Sequence, residues 1–274
     1  MKLINLTIKL FTTSLLVFFL AFPISSSFSQ EESETDFSNA IDGEEKRKTW
    51  GTEEHKQSLI KEMSSANVSL FVDKHLDGIN EPSRIFYKFE KSSTLEDSFV
   101  GNVVLNIVKI DEDENKYITF RYLKGRNKVR FPPQIGAKGN PVFMLFFERD
   151  SRDMQRLTGG NALFFRSRIR HAIAATDVKD IEFNFNGQKY SGKEITFTPF
   201  EDTKLKNRVT RYKNKKFKVL LSENIPGHIY KIETFTKDSE NQNDIVKETL
   251  LYQGIRTNKE LREIYNKKKE ESKS

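Results

Sequence analysis

Apolar positions along the chain follow two rhythms, one of period two and one of helical period. In Arg84 to Glu90, "RIFYKFE", Ile85, Tyr87 and Phe89 alternate with Phe86, Lys88 and Glu90, which predicts a strand. Phe99 to Ile110, "FVGNVVLNIVKI", is partly apolar on both faces, as a central strand is. The polar "DEDENK" turns the chain, and "YITFRYL" returns with Ile118, Phe120 and Tyr122 on one face. Period and turn chemistry together predict a β-meander. Pro132-Pro133 is expected to end regular structure there.

A second β set begins near Asp180. Ile181, Phe183 and Phe185 alternate with Glu182 and Asn184, and Asn186-Gly187 is a hairpin signal because both residues tolerate positive φ. Ile195 and Phe197 continue the return. "KFKVLL", "HIYKIETF" and "DIVKETLLYQ" predict three more strands, with Pro226-Gly227 and "KDSENQN" as turns. Asn258 to Lys269 reads as a polar C-terminal helix, and Thr52 to Ala66 as a short helix with Leu59, Ile60 and Met63 on one side.

Between the β sets the rhythm is helical. Asn140-Pro141 reads as N-cap and first helical residue. Phe143, Phe147, Met154 and Leu157 form one stripe. Thr158-Gly159-Gly160-Asn161 stops one helix and caps the next. The second helix places Ala162, Phe165, Ile169, Ala172 and Ile173 on one face, flanked by Arg166 and Arg168. The predicted class is α+β, mainly antiparallel: a large curved sheet or half-open barrel, with a central helical hairpin over 141–175 packed on it. Two small α+β domains are the alternative.

One residue breaks the hairpin's pattern. Asp150 lies within the apolar stripe, while Glu148 and Arg152, and Arg149 and Asp153, lie off it at i,i+4 spacing and are expected to pair on the solvent side. A carboxylate on a buried face needs a partner or a proton. Arg166 or Arg168 on the second helix is the expected partner. Two roles are open: a pair that fixes the hairpin's geometry, or a head-group site with Arg as an anion fork. His171 lies beside these arginines.

Composition narrows the function classes. The N-terminus has Lys2 and Lys9, an apolar run from Leu10 to Phe22, and Ser27-Phe28-Ser29 before a cut after residue 29. That is the pattern of a secretory signal peptide, and the apolar run is shorter than the roughly 20 residues needed to span a bilayer. Residues 30–50 read as a disordered acidic lead-in, 51–257 as one β-rich domain, and 258–274 as a polar helix and tail. The chain has no Cys, which excludes disulfides and lipid attachment at a cysteine.

The net charge is +7. No aromatic-plus-basic recognition motif appears, so nucleic acid is not the expected partner; the excess reads first as solubility, with an anionic membrane surface as the alternative. Lys204 to Lys218 holds eight basic residues and no acid. Lys213, Lys215 and Lys216, with Tyr212 and Phe217 as apolar footholds, are its docking candidates.

Recognisable catalytic chemistry is missing from the pattern. His55, His75, His171 and His228 sit at no metal-ligand spacing, so no metal or cofactor is expected. No G-x-S-x-G occurs. "DEDE" at 111–114 lacks the Gly and terminal Glu of a calcium loop. A pair of hydrolytic carboxylates stays open, because acids are plentiful.

The run "NPVFMLFFERDSRDMQRLTGGNALFFRSRIRHAI", set between the meander and "PGHIYKIET", resembles exported bacterial proteins of unknown function. The predicted architecture is similar in outline to the periplasmic lipoprotein carriers of the localisation pathway. The leading expectation is a periplasmic, non-enzymatic envelope protein that binds a hydrophobic or amphipathic ligand such as a lipid, or a partner protein. It rests on 23 Phe and 8 Tyr and on helices able to cover a sheet. The alternatives are an assembly factor without a cavity and a hydrolase of envelope polymers.

Overall fold

The computed structural model describes residues 62–201, 207–237 and 243–272. The expected signal segment, the acidic lead-in and most of the Thr52–Ala66 helix lie outside the described residues. At the described end of that stretch, Ser65–Asn67 is helical and widens into a π turn over Val68–Val72.

Nine antiparallel strands form one sheet. They are β1 (Ser83–Ser93), β2 (Phe99–Ile110), β3 (Lys116–Tyr122), β4 (Gln134–Ala137), β5 (Lys179–Phe185), β6 (Gln188–Phe197), β7 (Lys216–Leu221), β8 (Ile229–Lys237) and β9 (Asp244–Thr257). Their order is β4-β3-β2-β1-β9-β8-β7-β6-β5. The edges β4 and β5 do not pair, so the curved sheet stays open. The two β sets are one sheet because β1 and β9 pair along their length, from Ser83↔Thr257 to Ser93↔Val246.

Pro132-Pro133 lies outside regular structure as expected, and a short strand that the sequence did not suggest follows it directly. β4 pairs with β3 through Lys116↔Ala137 and Ile118↔Gln134. Proline is excluded from the middle of a ladder but not from the approach to an edge strand, and β4 is an edge.

Two helices lie on one face of the sheet. α1 (Val142–Thr158) and α2 (Ala162–Ala174) form the expected hairpin. Gly159, at φ +73°, closes α1 in the left-handed conformation, and the Asn161 side chain accepts from Leu163 N–H at 2.8 Å to open α2. A third helix, α3 (Asn258–Glu271), begins with a capping box between Thr257 and Glu260 and buries none of its residues.

The core lies between the hairpin and the sheet. Phe143, Phe146, Phe147, Ile169 and Ile173 of the hairpin join Ile85, Tyr87, Phe89, Leu105, Ile195, Phe217 and Leu250 of the strands in one buried cluster. Phe147 meets Phe197 and Phe217 edge-on at 6.1 and 5.9 Å, and those two rings stack at 5.0 Å.

Candidate functional site

Strand alternation puts more than apolar groups under α1. Phe89 of β1 points inward, so Lys91 does too; Leu250 of β9 points inward, so Glu248 does too; the same parity carries Ile232 of β8 to Thr234 and Thr236. The register aligns these positions across the sheet: Lys91↔Glu248, Glu248↔Thr234, Thr234↔Phe217 and Phe217↔Phe197. One inward row therefore runs from charge at β1 to stacked rings at β6. The face under the hairpin is amphipathic.

α1 supplies the complementary charges. Lys91 Nζ lies 2.6 Å from Asp153, 2.6 Å from Glu96 and 3.0 Å from Glu248. Arg149 donates to Glu248 at 2.8 Å and to Asp153 at 3.2 Å, and its guanidinium lies over the Phe89 ring at 4.6 Å. Arg156 reaches Glu96 and Asp153 at 2.8 and 2.9 Å. Asp150, with 0% of its side chain exposed, pairs with Lys215. Among the described residues, four cations and four anions are thus brought together, and their charges cancel.

The electrostatics separate Asp150 from Glu248 and Asp153. Burial alone would push the Glu248 carboxyl up, but Arg149 and Lys91 outweigh it and hold it below its ordinary range. Burial acts on Asp153 too, and Arg149 and Lys91 bring it down to about 2. Asp150 goes the other way: burial raises it, and Lys215 only partly offsets this. Of these three, Asp150 is the one that burial leaves short of compensation.

Four polar atoms in this interior have no hydrogen-bond partner among the described residues: Asp150 Oδ2, Tyr122 Oη, Thr234 Oγ1 and Thr236 Oγ1. Thr234 neighbours Glu248 in register, and Tyr122 feels the charges of Arg149, Glu248 and Asp150. Buried polar groups are normally satisfied, so an unsatisfied set beside an ion cluster marks the place where the interior has polar capacity to spare.

Of the residues singled out from sequence, the structure brings together Asp150 and Lys215, one from each candidate set, and leaves the others apart. Asp150 does meet a basic partner across elements, but it is Lys215 and not Arg166 or Arg168. Arg166 instead grips Glu148 of α1 with two bonds, at 2.6 and 2.7 Å, and Arg168 donates to the Pro199 carbonyl at 2.9 Å. The reason is position. Asp150 lies on the side of α1 that faces the sheet, and the arginines flank the hairpin nearer its wet side. His171 is exposed on the last turn of α2.

The basic run divides in the same way. Lys215 is drawn inward, its ammonium over Phe217 at 5.4 Å, while Lys213 is exposed and Lys216 half-buried. Tyr212 and Phe217 are buried and offer no foothold to a membrane.

Arg166 tests the peripheral part of this arrangement. Its pair with Glu148 is partly solvated, and exposed pairs contribute up to about 1 kcal/mol. Arg166→Ala is expected to lower stability in urea denaturation by no more than that amount. A much larger loss would mean that the hairpin depends on its outer charges.

The sequence signal that was missed is strand parity. Lys91, Glu248 and Thr234 each stand two residues from an inward apolar residue, and Thr236 continues the Ile232–Thr234 parity; that spacing announces polar groups on the dry face.

No protein-family model and no curated protein matches the chain. Among solved structures it is similar to the lipoprotein LppX of Mycobacterium tuberculosis, at 10% identity over 66% of this chain and 90% of that one, with a TM-score of 0.27. It is also similar to a LolA superfamily protein of Nitrosomonas europaea, at 12% identity over 70% of this chain and 93% of that one, with a TM-score of 0.21. These likenesses are of outline.

Proposed function

We propose that the chain is an exported, non-enzymatic binding protein that takes an amphipathic ligand against the hairpin-covered face of its sheet. The carrying observation is the row Lys91–Glu248–Thr234–Phe217–Phe197, which offers polar groups at one end and stacked rings at the other. The apolar part of the ligand would part the buried contact of Phe147 with Phe197 and Phe217 and lie along those rings. Its head meets the unpartnered Asp150, Thr234 and Tyr122 atoms. Because the ion cluster is already neutral, a head without net charge suits it better than an anion, whose charge would stay uncompensated. Export rests on the N-terminal segment. Lys213 and Lys216 remain the surface cations that would meet an anionic membrane.

A second reading, an assembly factor with no ligand, is favoured by the filled contact of Phe147 on Phe197 and Phe217. Native mass spectrometry of the protein purified from its own envelope separates the two. A co-purifying lipid-sized adduct, lost on extraction with organic solvent, is the expected result. A bare protein mass, or a protein partner alone, overturns the ligand reading.

A further inference from the structure

Four segments meet at Asn140, just before α1. Its side-chain amide donates to Tyr87 Oη of β1 at 3.0 Å and to the Gly227 carbonyl at 2.8 Å, in the turn between β7 and β8. Its side-chain oxygen accepts from the N–H of Val142, the first residue of α1, at 3.1 Å. Its backbone N–H donates to His75 Nδ1 at 3.1 Å. The residue is 2% exposed, so each bond is made away from water. Gly227, at φ +80°, is needed there: a Cβ on it would lie 2.9 Å from the Asn140 amide nitrogen and 2.7 Å from Ile85.

His75 is held in one chemical form by this arrangement. Nδ1 accepts from Asn140, so the ring proton must sit on Nε2, which donates to the Ser69 carbonyl at 2.8 Å. The ring is edge-on to Phe143 of α1 at 5.2 Å and to His228 at 5.3 Å. Both nitrogens are used, and both uses require the neutral ring. A second proton can go only to Nδ1, where it would face the Asn140 N–H, donor against donor.

We infer that His75 makes this joint acid-labile, so that mild acidification releases the first turn of α1 from the sheet. A proton can reach it. A cleft of about 280 Å³ opens beside the joint and is lined by both histidines. The charged groups facing the pair are Asp73, two residues before His75, Asp77 two residues after it, Asp180 of β5, Lys193 of β6 and Glu223 of the β7–β8 turn.

The energetics point the same way. Burial holds His75 below its ordinary value, and the Ser69 carbonyl and Asp73 only partly counter this, while His228 and Lys193 add to it. Burial also lowers His228. A histidine with a depressed folded value binds fewer protons folded than unfolded. Stability is therefore full above the ordinary value of about 6.5 and falls as the pH drops through it toward the folded value.

The inference stands whether or not the seam above takes a ligand. The test is site-resolved hydrogen exchange on the full chain between pH 7.5 and 5, corrected for intrinsic rates, with NMR titration of the His75 ring. Protection of the Asn140 and Val142 amides is expected to fall about tenfold for each unit by which His75 is depressed. His75→Asn, whose side-chain oxygen falls near the Nδ1 position, is expected to abolish the fall, and His228→Asn to leave it. An unchanged fall in His75→Asn, or a fall lost only in His228→Asn, overturns the inference. So does a His75 ring in the native chain that titrates at or above about 6.5, a readout that needs no variant to fold.

Discussion

Lys215→Met destabilises the protein by about 3–5 kcal/mol, and Asp150→Leu does the same, because each single change leaves the other charge buried without its partner. The double variant returns most of that loss, since an apolar pair of similar volume is often neutral relative to a buried ion pair. A double-mutant cycle in urea at pH 7 measures the coupling directly. Additive losses would show that the two side chains do not act on each other.

A pH signature accompanies the single variant. Burial already raises the Asp150 carboxyl, and Lys215→Met removes the cation that opposes it. The folded form then takes up a proton more readily than the unfolded chain. Stability of Lys215→Met therefore rises as the pH falls from 7 toward the ordinary carboxylate range, opposite in sign to the histidine effect.

Phe147→Ala removes the ring that joins hairpin to sheet. The side chain is 7% exposed and touches Phe146, Phe197 and Phe217. Removing a buried aromatic costs about 3–5 kcal/mol, because neighbours relax only partly into the space. For a domain of this size, that is a fall of roughly 10 °C in Tm. Phe164→Ala is the control: this ring is 39% exposed, and its removal is expected to cost less than about 1 kcal/mol. Equal losses from the two would contradict the placement of the core on the sheet side of the hairpin.

The parts of this account that sequence could supply are those with a local period. Phe143, Phe147 and Met154 mark the buried side of α1, and Gly159 and Asn161 mark its joint, because spacing and capping are local. Asp150 stood out for the same reason. Its partner did not. Lys215 comes from the second β set, just before β7, which the β1–β9 pairing joins to the first, and no local pattern encodes that closure. Arg166 and Arg168 were near in sequence but turned the wrong way. Lys91 and Glu248 were legible by parity, yet a charge two residues past Phe89 or before Leu250 reads equally as a strand end. His75 and Asn140, 65 residues apart, gave no sign of contact.

The central claim is that the hairpin-covered, amphipathic face of the sheet is the binding surface. Hydrogen exchange along α1, β8 and β9, with and without a lipid extract of the cell envelope, tests it most directly. The account predicts slower exchange on addition of extract in α1 between Phe143 and Met154 and in the strands carrying Thr234 and Glu248. Unchanged exchange there, or protection confined to α3 and the outer face of the sheet, would contradict it.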